Sequence, residues 1–257
     1  MQLDGQPDDA PLRAIYRNPP RDGGDICPTC TVPKDPMYPL CRPCENHRYA
    51  GFPLADFVAP LSWAPMHTQP YEDLYSYKAE PRSEAADVAS ERLRLMFRLA
   101  FTKHAKCLIP GWEESTVAVT HVPSTGGRRG THPMEVILSM FGDNIPKLQP
   151  KYVGDLTRAR DDRRALSPDD WELDLSKVGV LSRVLVIDDS WVTGGHAQSV
   201  ASALKQAGVP TVGIVPFGRV MRMDWAPNAQ YVRDHPAPAF NSQICPVHGV
   251  DHTGAAE

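Results

Sequence analysis

Residues 184–208, VLVIDDSWVTGGHAQSVASALKQAG, constrain the fold more than any other stretch of this chain. The four apolar residues 184–187 read as a strand buried on both faces, and two carboxylates, Asp188 and Asp189, follow at its carboxyl end. A short turn containing Thr193, Gly194 and Gly195 leads into a helix over 197–207, closed by Gly208, and another apolar strand follows at 211–215. Ligands of open α/β sheets gather at the carboxyl ends of the strands. Glycines let the backbone approach such a ligand, a threonine hydroxyl donates to it, and the first amides of a helix favour an anion. The turn therefore suits a phosphate monoester. The twin carboxylates repel phosphate but accept hydrogen bonds from the vicinal hydroxyls of a sugar. The other Asp pairs, Asp8–Asp9, Asp161–Asp162 and Asp169–Asp170, lack this setting and read as solvated surface.

Strand, helix, strand order with continuous apolar strands implies an α/β fold, a parallel sheet flanked by helices. Upstream, Ser83 is a fitting N-cap for a helix over 84–101, which places Ala89, Leu93, Met96, Phe97 and Ala100 on one face. A strand is expected at 117–122, a helix at 133–141 and short strands at 152–156 and 171–173. Between the first strand and its helix stand Ser124, Thr125, two glycines, Arg128 and Arg129. Hydroxyls and glycines beside paired arginines suit a polyanion; the plainer reading is a flexible basic loop. The stretch 155–164, with Arg158, Arg160, Arg163 and Arg164, reads equally as a mobile lid or as a solvated charged turn.

A net charge of -4 over 257 residues gives no overall drive towards nucleic acid or acidic membranes. No apolar run approaches the ~20 residues that cross a bilayer, and MQLDGQPDDAPLR has no signal-peptide core, so a cytoplasmic protein with no membrane partner is expected. In that setting six cysteines favour metal-bound thiolates over disulfides. CPTC at 27–30 and CRPC at 41–44, ten residues apart, present Cys27, Cys30, Cys41 and Cys44 as a tetrahedral zinc set, with His47 a weaker alternative ligand. Cys245, His248 and His252 could hold a second metal, although a disordered tail is the plainer reading, and Cys107 beside Leu108 and Ile109 reads as buried packing. The 26 prolines, about twice the usual ~5%, crowd into 1–81 and 227–246. The expected organisation is a flexible leader at 1–24, a zinc module at 25–50, the α/β domain at 51–225 and a Pro-rich tail at 226–257, with no internal repeat.

The turn after Asp188 and Asp189 resembles the phosphoribosyl-pyrophosphate (PRPP) signature of type I phosphoribosyltransferases. Carried over, that resemblance implies that Asp188 and Asp189, the candidate catalytic pair, contact the ribose hydroxyls. Thr193, Gly194, Gly195 and His196 would hold the 5-phosphate, and Ser124, Thr125, Arg128 and Arg129 the pyrophosphate with Mg²⁺. Two positions depart from the pattern: Val192 stands where a first Thr is common, and His196 where a Thr or Ser donates. A protonated His196 would replace that donor with a charged one. A four-cysteine knuckle ahead of such a domain resembles the ComF family of competence-associated proteins. Tyr75, Tyr77 and Lys78 match its Tyr/Lys segment, and Val122-Pro123 and Arg129-Gly130 its Val-Pro and Arg-Gly loop. Thr131-His132-Pro133 departs from the aromatic and Asn-Gln that usually follow. The resemblance implies pentosyl transfer from PRPP to an unidentified nitrogen acceptor, without a side-chain nucleophile. It also admits a non-catalytic accessory protein of DNA uptake, whose zinc module meets a protein or single-stranded DNA. A homo-oligomer is compatible with either. A zinc-ribbon nucleic-acid binder is a weaker alternative, because the ribbon offers only Lys34, Arg42 and Arg48 as basic residues.

Overall fold

Alternation along three central strands decides the layers. In the computed structural model, which describes residues 8–111, 116–125, 132–142, 145–176 and 179–252, the chain order of elements is as follows. Helix α1 (Ala10–Arg13) and helix α2 (Arg42–Tyr49) precede strands β1 (Phe57–Val58) and β2 (Ser62–Pro65). Helices α3 (Gln69–Ser76) and α4 (Glu84–Leu108) lead to β3 (Val117–His121), α5 (Pro133–Leu138) and β4 (Lys147–Leu148). A small antiparallel pair, β5 (Lys151–Tyr152) with β6 (Trp171–Glu172), brackets helix α6 (Arg160–Arg163). Then come β7 (Arg183–Trp191), α7 (Gly195–Gln206), β8 (Thr211–Met221) and α8 (Ala226–Asp234).

The main sheet is wholly parallel, with β7 between β3 and β8, β4 beyond β3, and β1 and β2 sharing the outer edge of β8. Successive side chains of a strand face opposite sides. Val117, Val119, Leu185, Ile187, Val215 and Phe217 join the core under α1, α3, α4 and α5. Ala118, Val184, Val186, Val212 and Ile214 join the opposite core, with α7 and the four N-terminal cysteines. Both faces are thus covered, which is why these strands read as uninterrupted apolar runs. Ser83 caps α4 by accepting a hydrogen bond from the Ala86 amide, and Ala89, Leu93, Met96, Phe97 and Ala100 are all buried.

Several sequence expectations need correction. β7 does not end before its acids but continues to Trp191, because Trp191 is fully buried and pairs with Arg219 of β8. Residues 8–24 are no flexible leader: Leu12 and Tyr16 are fully buried, and the Tyr16 hydroxyl donates to Asp73 Oδ2 at 2.5 Å. Asp9 is no surface acid either, at 4% exposure, and it accepts from the Ser242 amide at 2.8 Å and hydroxyl at 2.9 Å. The C-terminal segment it holds is packed as far as it is described, with α8, buried Phe240 and buried Cys245. Too few apolar residues recur in either segment to build a periodic signal, so these contacts go unannounced in the sequence. Among the described residues no helix is long and apolar enough to cross a membrane.

Phe97 is 1% exposed and meets the rings of Phe101, Phe141 and Phe217 at 5.6–5.8 Å, mostly edge to face. Phe97→Ala should cost ~3–5 kcal/mol of stability. Urea denaturation of wild type and variant checks this by a lower midpoint at an unchanged slope.

Candidate functional site

The connection after β3 runs outward to β4, and the connection after β7 runs the other way to β8. Adjacent parallel strands whose connections diverge leave a crevice at their carboxyl ends. A cleft of about 390 Å³ lies there. Its walls include Asp188, Asp189, Thr193, Gly194, Gly195 and His196 from the β7 side, and Ser124, Thr125 and His132 from the β3 side. Lys78, Arg163 and Arg164 add cationic side chains. Arg128 and Arg129 lie outside the described residues.

The two acids differ because neighbouring residues of a strand face opposite layers. Asp189 shares the face of Leu185 and Ile187, where the chain leaving α3 delivers Tyr77 and Lys78. Its Oδ2 accepts from Lys78 Nζ at 2.5 Å and Tyr77 Oη at 3.0 Å, and its Oδ1 from Ser190 Oγ at 2.8 Å. Burial opposes its charge, but the Lys78 ammonium and these donors outweigh burial and hold the acid below the usual carboxylate range. Asp188 shares the α7 side and accepts the Asp189 amide at 2.9 Å. Burial, and then the charge on Asp189, push it up to about 8. Near neutral pH the pair therefore carries about one negative charge and one acid proton.

The turn after β7 is shaped by contact. Gly194 adopts φ +85°, and a Cβ there would fall 2.1 Å from the Trp191 ring. A Cβ on Gly195 would fall 1.8 Å from the Arg164 carbonyl oxygen. The segment after α6 is thus seated on the turn rather than standing free as a lid or a solvated loop. His196 Nε2 donates to the Arg163 carbonyl at 2.7 Å, and its ring packs edge-on to Trp171. Burial lowers the His196 pKa, so the ring is neutral near pH 7. The charged phosphate donor expected at this position is therefore not what the ring supplies. Arg163 Nε is buried without a hydrogen-bond acceptor among the described residues.

Sequence reasoning missed Arg219. This buried residue donates from Nη1 to the carbonyls of Trp191 at 2.9 Å and Val192 at 3.1 Å, bracing the turn from the β8 side. A second cavity, of about 860 Å³, shares Val192 and Thr193 with the cleft and is walled otherwise by residues of the cysteine module and by the end of β8 and start of α8. Tyr38 and Trp225, each about half exposed, stand on its wall. No sequence period could have signalled a cavity made by segments this far apart.

The four N-terminal cysteines converge. Their sulfurs lie within 4.8 Å of one another, Cys30 and Cys41 at 3.5 Å, and all four side chains are buried. Hydrogen bonds from its three neighbours drive Cys27 well below the usual thiol range, whereas the same crowding pushes Cys44 up. Thiolates gathered in one buried spot call for a cation, so the set could hold a structural metal such as zinc. His47 is buried on α2 but is not part of that set. The module is docked on the α/β layers, with Trp63 Nε1 donating to the Thr31 carbonyl at 3.0 Å.

Because Asp188 is raised in the folded chain, the folded state binds more protons than the unfolded one between the ordinary carboxylate pKa and about 8. Wild-type stability should fall as pH rises through that window. Asp188→Asn removes both the buried charge and its repulsion with Asp189. Its melting midpoint should exceed wild type by a margin that widens from about pH 5 to about pH 9. A constant margin across the series would show that Asp188 is not raised.

Neither a family model nor a curated protein matches this chain.

Proposed function

We propose that this chain is a type I phosphoribosyltransferase-like protein of the ComF kind, which binds PRPP and transfers its pentosyl group to a nitrogen acceptor, releasing pyrophosphate. One observation carries the reading: Asp188, Asp189 and the Thr193–Gly195 turn line a single cleft, at the end of adjacent strands whose connections diverge. A sugar phosphate fits such a cleft in one orientation. The hydroxyl of Thr193 and the first amides of α7 take the phosphate, and the carboxyls take the ribose hydroxyls. Asp189, held ionised by Lys78, accepts from a hydroxyl, while a protonated Asp188 can donate to a ribose oxygen as well as accept.

Bond breaking at the anomeric carbon leaves positive charge on the ribose and negative charge on the departing diphosphate. Lys78, Arg163 and Arg164 line the cleft where a diphosphate would extend towards Ser124 and Thr125. Mg²⁺ brought in on the diphosphate itself would spread the leaving group's charge, leaving Asp188 and Asp189 to the ribose hydroxyls. The acceptor would come through the second cavity, where Tyr38 and Trp225 suit a flat, nitrogen-bearing ring. Positioning and leaving-group charge then suffice without a covalent intermediate.

A second reading rests on a specific observation. His196 spends its Nε2 proton on the Arg163 carbonyl, and Val192 has no hydroxyl, so the turn offers fewer side-chain donors than a turnover enzyme ordinarily presents. That favours a non-catalytic PRPP-binding accessory protein of DNA uptake, with the cysteine module as the contact surface for a protein or single-stranded DNA.

Calorimetry with PRPP and Mg²⁺ tests the shared part of both readings. Wild type should bind, and Asp189→Asn should bind about 10–100-fold more weakly, as expected for a lost charge-assisted hydrogen bond. No binding by wild type, or equal binding by the variant, defeats the assignment. Pyrophosphate release with a panel of bases and amines separates the two, since an accessory protein binds without turnover.

A further inference from the structure

The proline-rich C-terminal segment ends in a copy of the N-terminal cysteine knuckle. At the first knuckle, the Cys27 amide donates to the Val32 carbonyl at 2.9 Å, the Thr31 amide donates to the Cys27 carbonyl at 2.8 Å, and Ile26 bridges Pro33. At the end of the chain, the Cys245 amide donates to the Val250 carbonyl at 2.9 Å, the Gly249 amide donates to the Cys245 carbonyl at 2.7 Å, and Ile244 bridges Asp251. The offsets from the cysteine are the same in every case. The fourth residue after the cysteine has positive φ in both, Thr31 at 61° and Gly249 at 74°. Ile-Cys-Pro opens each, and the third residue after the cysteine is a ligand type in each, Cys30 in one and His248 in the other. This tight backbone-bonded turn sets two ligand side chains side by side, which is the task of a metal knuckle.

A knuckle supplies two ligands, and four are needed to close a structural site. The first knuckle finds its second pair on Cys41 and Cys44, at the start of α2. The C-terminal one finds Cys107, in the last turn of α4, and His252. α4 departs from helical geometry at His104, whose Nε2 donates to the Ser242 carbonyl at 3.0 Å, so the final helical turn is fastened to the same segment. The ligand atoms of Cys107, Cys245, His248 and His252 all lie within 4.8 Å of one another. His248 Nδ1 is 3.4 Å from Cys245 Sγ and 3.2 Å from His252 Nε2, and His252 Nε2 is 3.9 Å from Cys107 Sγ. Tetrahedral zinc with ordinary bond lengths would separate such atoms by about 3.3–3.8 Å. The fit is as close as at the four-cysteine set, where Cys30 and Cys41 stand at 3.5 Å.

We infer that Cys107, Cys245, His248 and His252 form a second structural zinc site, which pins the C-terminal segment to the end of α4. Two thiolates with two imidazoles in tetrahedral array select zinc over harder cations. All four positions are filled by protein, so the site is closed and takes no substrate. The expectation of a disordered tail and of Cys107 as mere packing is replaced by one ligand set.

Zinc content of the full chain tests this, measured by plasma emission on protein purified through a tag without histidine. Wild type should hold about two zinc ions per chain, and Cys107→Ser, Cys245→Ser and His252→Ala should each hold about one. His252 is exposed, so His252→Ala should keep the wild-type far-ultraviolet dichroism while its melting midpoint falls. Cobalt substitution gives an independent readout. The wild-type spectrum minus that of Cys245→Ser should carry the thiolate charge transfer and blue-shifted ligand-field bands of a two-sulfur, two-nitrogen site. About one zinc per chain in wild type, unchanged zinc in folded His252→Ala, or a Cys107–Cys245 disulfide in protein handled under reducing conditions would each overturn the inference.

Discussion

Strand β7 is paired on both sides by parallel neighbours, and it is covered on both faces. A strand so enclosed can show water only its end. The backbone of Asp188 and Ser190 remains in register with β8, and Trp191 closes the ladder against Arg219. The two acids are therefore not mobile loop residues but part of the sheet, delivered to the cleft at fixed height. Their different environments follow from the pleat alone. One acid turns towards the layer that carries Lys78 and the other towards α7, so one is held ionised and the other holds a proton. Two identical side chains acquire complementary hydrogen-bonding roles with no difference in chemistry between them.

The ends of the chain solve a different problem. Both are rich in proline and poor in periodic apolar residues, and neither segment can build a core of its own. Each is held instead by a knuckle and by a few buried polar contacts, such as Asp9 with Ser242. Arg21 ties the ends together. Its guanidinium donates to the Val58 carbonyl at 2.9 Å and to the Pro246 carbonyl, while its stem packs against Gly249. A metal held at such knuckles would replace the hydrophobic burial that segments this short lack.

The sequence and the structure agree where a single period governs a whole element. The buried runs of β3, β7 and β8, the α4 face from Ala89 to Ala100 and the cysteine spacing were all legible, because each signal is local and repeated. The α/β class with a parallel sheet followed from their order. β7 was read to 187, four residues short of its end at Trp191, because carboxylates in a strand break the apolar run that marks it. β1 and β2 went unseen because two-residue and four-residue strands are shorter than any period, and β2 is placed by its pairing with β8 rather than by its neighbours in sequence. The repeat of Ile-Cys-Pro at 26 and 244 was present in the sequence, but three residues with a changed fourth ligand type fall below what spacing alone can establish. Cys107 had no local signal at all, since its partners lie more than a hundred residues away.

Arg219 links these parts. Its strand neighbours are Trp63 on one side and Trp191 on the other, and Trp63 carries the hydrogen bond to the first knuckle. Its guanidinium holds the carbonyls that begin the Thr193 turn. The cysteine module, β8 and the turn are therefore one connected set of contacts, and the second cavity is the space they enclose beside the cleft. A metal held by the four cysteines would fix that wall too. The module thus shapes, together with the end of β8, the cavity that opens on Val192 and Thr193.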